Sequence, residues 1–371
     1  FNSVPWSMAT DEESHLTHEQ MQELSKNLPS DFINFVFING FLNQTLSDES
    51  EGLLSTDEIQ SVDVEASDSV ENKLLNLSNA YLTKKITLKV ERNKTIEKPI
   101  QILFVQTSKE HVFSSEKLKI ELEENSEAKV VIHTLSFSNS TGDALNLSIE
   151  SNIAANARFS LVQLQNEDLE SYQFCQNKVL LKSGAQFMNF NLAFGCKTIR
   201  NYLEVEFLEK NAEAQILSLS LQDKSQHIDH YTNIKHLTGE NNSIQSYKSI
   251  LAGSSEYVFR GRVYIAPNAQ KAQSEQLNKN LLLTREAHAN SIPQLEIFAD
   301  DVKATHGATI GQLSNEELFY FLSRGINQLK AVKMLSMGFA LDLLEKITDK
   351  NLRNFLEKVT LSKLDKMVQN G

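Results

Sequence analysis

Five ionisable side chains crowd one short stretch: Glu296, Asp300, Asp301, Lys303 and His306. A carboxylate pair beside an imidazole is equipment for general acid/base chemistry, and paired carboxylates carry glycoside hydrolysis. On a strand, however, Asp301, Lys303 and Thr305 share one face, and Asp300 and His306 need not meet. The charges then read equally well as a solvated surface. A second cluster, His227, His230 and His236, invites a metal reading. Residues three apart on a strand point to opposite faces, so His227 and His230 would not converge, and two histidines fall short of a usual ligand set. They read instead as surface and turn histidines. Cys175 and Cys196 lack Cys-x-x-Cys spacing and read as small half-buried residues. Gly195-Cys196-Lys197-Thr198 has only a superficial likeness to the end of a phosphate-binding loop, since the Gly-Lys-Ser/Thr adjacency and the upstream glycine are missing. It reads as a turn, and nucleotide hydrolysis by this chain alone is not expected.

These residues must be positioned by a strand-rich region running from about residue 80 to 310. Leu118, Ile120 and Leu122 alternate with Lys119 and Glu121; Met188, Phe190, Leu192 and Phe194 alternate with Asn189 and Asn191. Leu203, Val205 and Phe207 alternate with Glu204 and Glu206, and Leu217, Leu219 and Leu221 with Ser218, Ser220 and Gln222. Period two marks strands with one buried face. A polar turn ending in Ala, a polar residue and an apolar one recurs at Ala128, Ala157, Ala185 and Ala214, at intervals of 29, 28 and 29 residues. Another step of the same size lands on the turn at Ser243, and one step back lands on Pro99. Even spacing over four units favours a stacked β-solenoid over a sandwich of evenly spaced hairpins.

The flanks differ. Residues 11–28 suggest one weak helix, Phe32 to Leu42 a hairpin turning at Asn39-Gly40, and Ser47 to Ser69 a solvated acidic linker. After Ile310, Ser314-Asn315-Glu316-Glu317 reads as a capping box that opens a helix burying Leu318, Phe321 and Leu322 and stopping at Arg324-Gly325. A second helix carries Val332, Leu335, Phe339, Leu343 and Ile347, and a third Leu352, Phe355, Leu356 and Val359. These helices are expected to cap the open end of the solenoid or to dock a partner. The divisions are 8–78, a helix and hairpin region with the acidic linker; 79–311, the strand core; and 312–371, a helical subdomain.

Composition narrows the classes. The chain has 371 residues, 36 Lys+Arg against 48 Asp+Glu and a formal charge of -12, a poor balance for binding nucleic acid. At 40% hydrophobic it fills a sizeable core, and two cysteines fit a reducing compartment better than a disulfide scaffold. No apolar run approaches the ~18 residues of a membrane helix. Phe1 to Ser7, with the sole tryptophan Trp6, reads as an extension ahead of a start at Met8, with no secretory signal after it; the cytoplasm is the expected location.

One group of segments resembles a known family. Phe259-Arg260-Gly261, Ala266-Pro267-Asn268-Ala269-Gln270-Lys271, Asn278-Lys279-Asn280-Leu281-Leu282-Leu283, Pro293-Gln294-Leu295-Glu296-Ile297, Asp300-Asp301-Val302-Lys303 and His306-Gly307-Ala308-Thr309-Ile310-Gly311 follow one another in order. So do Phe319 to Ile326 and Gly338-Phe339-Ala340. Together they resemble the SufB/SufD family of iron–sulfur cluster assembly scaffolds, densely over about 225–345 and more loosely from about 80. The tail from Leu341 is similar to the SufD branch.

The resemblance implies a mainly β fold, a right-handed parallel β-helix core with a small N-terminal α/β part and a C-terminal helical subdomain. It also implies a complex with a SufB-like paralogue and a SufC-like ABC-type ATPase, which accounts for the missing phosphate loop. Many members carry a cysteine two residues before the histidine of the His-Gly-Ala motif; here that residue is Ala304. The thiolate ligand is therefore missing, and His306 is left as a cluster ligand or an interface residue facing a cysteine on the partner. Asp300, Asp301, Lys303, Ala304, His306 and Gly307 are the expected interface, and Phe339, Leu343 and Phe355 the expected ATPase contacts. No cofactor is expected to stay on the chain alone, although a transient iron–sulfur cluster fits the complex, and the isolated chain could pair with itself. The reading is a non-catalytic scaffold subunit. The alternatives are a β-helix carbohydrate-active enzyme using Asp300, Asp301 or His306, and a purely structural β-solenoid.

Overall fold

Period-two sequences held in register by short turns have one economical solution, a coil that lays one strand on each of two facing sheets and repeats. The computed structural model describes residues 7–8, 16–50, 52–58, 84–107, 112–137 and 142–370. Its core is a β-solenoid of about seven turns. The chain alternates between two ten-stranded sheets, and from Val112–Leu122 and Glu127–Ser136 to His288–Ile297 and Lys303–Gln312 each strand pairs in parallel with the strand one coil away. The sheets meet on apolar side chains such as Leu118, Ile120, Val130, Phe159, Val205 and Phe207.

The repeat marker differs from the one read in the sequence. Glu127, Arg158, Gln186 and Glu213 stand in register, giving coils of 31, 28 and 27 residues. Ala157 and Ala185 occupy equivalent turn positions, but Ala128 and Ala214 lie two residues further along, already in their strands. Those two displacements cancel, which is why the mean spacing came out right. The structural marker is a left-handed residue two places before a strand of the second sheet, at Asn125, Asn156, Gly184, Asn211, Glu240 and Lys271, with Asn93 two places before Thr95, which bridges to Glu127. Asn is tolerated there because its short polar side chain bonds locally; the amide of Asn125 donates to Asn93 at 2.9 Å. A small buried residue follows at Ser126, Ala157, Ala185, Ala212 and Ala272, while Asn241 follows Glu240.

The faces also differ from expectation. In the second sheet the outward residues Val162, Leu164, Phe190, Leu192, Leu217, Leu219 and Leu221 lie under the C-terminal helices, while Asn189, Asn191, Ser218, Ser220 and Gln222 point into the lumen and are buried too. Both faces are buried, and the polar one is inside. The lumen is apolar in the early coils and lined by carboxamides and hydroxyls in the later ones. Asn189 donates to Gln163 (3.1 Å) and Asn191 to Gln165 (2.9 Å) along one wall, and Asn201 donates to Gln165 (2.8 Å) across the lumen.

The helices Asn315–Ser323, Gln328–Leu344 and Lys350–Asn370 therefore do not cap the open end. The latter two cover the outer face of the second sheet through Ala340, Leu343, Leu344, Leu352, Leu356, Leu364 and Met367. Lys129–Asp349 (2.7 Å), Lys248–Asp342 and Lys363–Asp223 (3.7 Å) fasten them to the strands. Ser314 caps its helix by accepting from the Glu316 N–H at 3.2 Å, not from Glu317, so the expected box is not formed. The helix stops at Arg324 with Gly325 at φ 78°, as expected. It has no fully buried residue, however, because it projects beyond the sheet, and Leu322 is exposed.

At the other end of the chain the helix is His18–Ser25, and the hairpin forms as read, with Asn39 and Gly40 at positive φ between Ile38 and Phe41. The strand Ile33–Ile38 is then closed by its own chain. Asn34 and Val36 donate to Asp48 (2.7 Å) and Ser47 (2.9 Å), and their carbonyls accept from Asp48 and Asn43. The acidic linker is partly strand, since Leu54–Glu58 pairs antiparallel with Lys84–Val90 and ends the first sheet. Its continuation over 59–69, the 78/79 division and Trp6 lie outside the described residues.

Candidate functional site at the open end of the solenoid

The last coil leaves two strands, His288–Ile297 and Lys303–Gln312, each with one sheet neighbour. Both run along the same end of the solenoid, and nothing among the described residues covers them. Their exposed apolar side chains are Ile292, Ile297 and Ile310, with Phe298 on the connection, 59% exposed. Unpaired edges with apolar side chains are templates for another strand. Pro293, which has no N–H to offer, sits in the first edge, where proline is tolerated. Arg262 holds that edge to the coil below through a two-pronged bond to Glu296, at 2.9 and 2.6 Å. The Arg262 guanidinium keeps the Glu296 carboxyl below its ordinary range. This clamp was not read from the sequence; the two residues lie 34 apart and only the coil length brings them together.

The structure sorts the expected interface residues by face. Ala304, His306 and Ala308 are in register with Ser274, Gln276 and Asn278 and so stand over the lumen. His306 is exposed at the mouth. Gly307 lies against Leu277, where a Cβ would meet Cδ2 at 3.1 Å. Asp300, Asp301 and Lys303 lie on the turn and strand start, exposed, and make no ion pair among the described residues. Asp301 is anchored by its backbone, its N–H donating to Gln270 Oε1 at 2.9 Å. No hydrogen bond joins Asp300, Asp301 and His306.

The histidine segment forms the strand His227–His236. His227 faces outward toward Glu256 (3.2 Å), whereas His230 and His236 face the lumen and are buried, not surface or turn residues. His230 contacts Ser220 (3.1 Å) and Asn201 (3.4 Å), and His236 contacts Ser243 (2.9 Å) while stacking on Phe207. Burial pushes their pKa values down to about 3 and about 4, so both are neutral. Cys175 and Cys196 are fully buried, more deeply than expected; Cys175 accepts from Gln163 Nε2 at 3.1 Å, and burial raises its pKa to about 12. Among the described residues no three His, Cys, Asp or Glu side chains gather to hold a metal ion.

The expected ATPase contacts are not free surface. Leu343 is fully buried under the helices, and Phe339 and Phe355 pack against the same cluster, because the apolar stripe they form faces the sheet. The exposed apolar positions are Phe319 (71% exposed), Tyr320, Leu322, Leu329 and Met334, on the projecting helix and the start of the next. No described helix is long and apolar enough to cross a membrane.

Comparison with known proteins gives concordant matches. The family described as "SUF system FeS cluster assembly, SufBD core domain" matches residues 104–339. An Escherichia coli protein named iron-sulfur cluster assembly protein SufD is 30% identical over 88% of this chain and 78% of its own length. A SufBD family protein of Synechocystis is 26% identical over 87% of this chain and 76% of its own. Protein ABCI7, chloroplastic, of Arabidopsis thaliana is 31% identical over 54% of this chain and 43% of its own.

Proposed function

Because the chain belongs to the SufBD family of the SUF iron–sulfur cluster assembly system, we propose that it is a non-catalytic cytoplasmic scaffold subunit that pairs through its open end with a SufB-like paralogue. The observation that carries this is the double edge. Two strands from two sheets end together, so a partner offering one free strand would leave the other bare. The end of a second solenoid offers two. A paralogue of the same fold meets that requirement, and a second copy of this chain meets it when the paralogue is absent. The apolar surface of Phe319, Tyr320, Leu322 and Leu329 suits a SufC-like ATPase, since an apolar helix face is a common docking element. The iron–sulfur cluster is cargo, held for a time where the two solenoids meet. His306, at the mouth of the lumen and without a thiol at Ala304, offers an imidazole nitrogen to it, and the partner supplies the other ligands.

Two measurements test this reading. Ile292→Asp with Ile310→Asp places charge on both exposed edges without touching the core, and association with the paralogue should weaken at least about tenfold by analytical ultracentrifugation. Undiminished association would remove the edge from the interface. Separately, His306→Ala should leave the chain folded and the complex assembled, and lower cluster formation about ten- to a hundredfold. Normal cluster formation would make His306 an interface residue only.

A further inference from the structure

Gln276 lies in the lumen one coil below the open end, fully buried, and neither atom of its carboxamide has a hydrogen-bond partner. Its side toward the facing sheet is fixed by shape. A Cβ at Gly261 would stand 2.2 Å from Gln276 Nε2, so only glycine at 261 leaves room for the amide, and the neighbouring Phe259 ring offers it no side-chain donor or acceptor. Gln245, its register partner in the coil below, accepts from Thr232 through Oε1 at 2.9 Å, and its unpaired Nε2 lies beyond hydrogen-bond distance of Gln276. Its register partner above is His306, on the same lumen-facing side and one strand spacing, ~4.8 Å, away. The flanking lumen-facing residues of the edge strand, Ala304 and Ala308, are too small to stand between them.

We propose that Gln276 is the positioning residue for His306. The exposed imidazole turns inward so that one ring nitrogen pairs with the buried carboxamide, and the other nitrogen points out of the open end. The drive is the amide itself, because an unpaired buried polar group is costly while a single rotation of an exposed ring satisfies it. An uncharged carboxamide can donate or accept, and whichever it does fixes which ring nitrogen carries the proton. The purpose of such a bond rests on the ligand role proposed above. The bond itself is a property of the single chain.

The full-length chain labelled with 15N-histidine reads it out. The His306 signals are identified by their loss in His306→Ala, and long-range 1H–15N spectra at pH 8 give the ratio of its two neutral tautomers. In the unaltered chain one tautomer should exceed the other by roughly five- to tenfold more than in free imidazole. Gln276→Leu, which removes an unpaired group and so is not expected to unfold the chain, should return His306 to the free ratio, while the other eight histidines keep their signals. Gln276→Glu keeps an acceptor in place and should again give one dominant tautomer. Equal tautomer ratios in the unaltered chain and Gln276→Leu would overturn the proposal. A Gln276-dependent tautomer alongside normal cluster formation by His306→Ala would uphold it and remove only the ligand role.

Discussion

Removal of residues 313–371 should leave an insoluble strand core, not a freed one. The outward side chains Val131, Val162, Leu164, Phe190, Leu192, Leu217, Leu219 and Leu221 are all fully buried, and the C-terminal helices cover them. Each is worth about 1.5–3 kcal/mol when taken out of water, so the eight together carry roughly 12–24 kcal/mol. That matches or exceeds the roughly 5–15 kcal/mol by which a whole domain is stable. An exposed apolar sheet face of this size is also an aggregation surface. The same helices were expected from the sequence to cap the open end or to dock a partner, and their packing instead makes them part of the core. A soluble truncated chain with a cooperative melting transition would contradict it. A milder variant, Leu356→Ala, should cost about 2–5 kcal/mol by denaturant titration. ATPase docking must accordingly be tested by substituting exposed Phe319, since truncation would destroy the fold and the docking together.

Stability should peak near pH 6.5 and fall on both sides. Three imidazoles are buried, His133, His230 and His236, and burial lowers their pKa values to about 3, about 3 and about 4. Unfolded, each binds a proton near pH 6.5; folded, none does until far lower. The unfolded state therefore takes up the extra protons as pH falls, and stability is lost by about 1.4 kcal/mol per unit for each group. Glu167 acts in the opposite sense. Burial, first, and the nearby Asp143 raise its carboxyl to about 8, so the folded state holds a proton that the unfolded state releases near 4.5, and stability falls as pH rises toward 8. Between about pH 4.5 and 6.5 three groups oppose one, for a net loss of about 3 kcal/mol per unit on acidification; above 6.5 Glu167 alone gives about 1.4 kcal/mol per unit of loss. Denaturant midpoints across pH 4.5–8.5 check both limbs. His133→Leu should flatten the acid limb and stabilise the chain, since both ring nitrogens of His133 are buried without a partner under Phe355. Glu167→Gln should flatten the alkaline limb. A profile flat from pH 5 to 8 would defeat the assignment.

Much of this architecture was readable from spacing. Strand period, turn chemistry at Asn39-Gly40 and the stop at Gly325 are local, and each is decided by a few adjacent residues. The stacked coils were readable too, although through a marker displaced by two residues at Ala128 and Ala214. Which face of a strand meets which neighbour was not. Leu217, Leu219 and Leu221 alternate with Ser218, Ser220 and Gln222 as they would on a half-solvated strand, yet both sets are buried. Period two states that two faces differ, and a serine paired across a narrow lumen looks the same in sequence as a serine in water. The stretch from Asp300 to Gly307 was placed on the last coil, as it is, but the clamp of Arg262 on Glu296 and the amide beneath His306 depend on contacts one coil away. Coil length sets those contacts, and it varies from one turn to the next.

The two ends of the solenoid differ in a way that governs stoichiometry. At one end the strand Ile33–Ile38 has its free N–H and C=O groups used by the hairpin and by Asn43, Ser47 and Asp48, and the other sheet ends in the short strand Leu54–Glu58, whose Asp57 is exposed. At the opposite end both edges are bare. In the language of polymers this is a monofunctional unit. In the pairing proposed above, joining two such units would consume the doubly bare end of each, and growth by that contact would stop at the pair. A stack of mostly parallel strands, which carries the hydrogen-bonding geometry of a fibre along most of its length, would by that proposal form a discrete assembly.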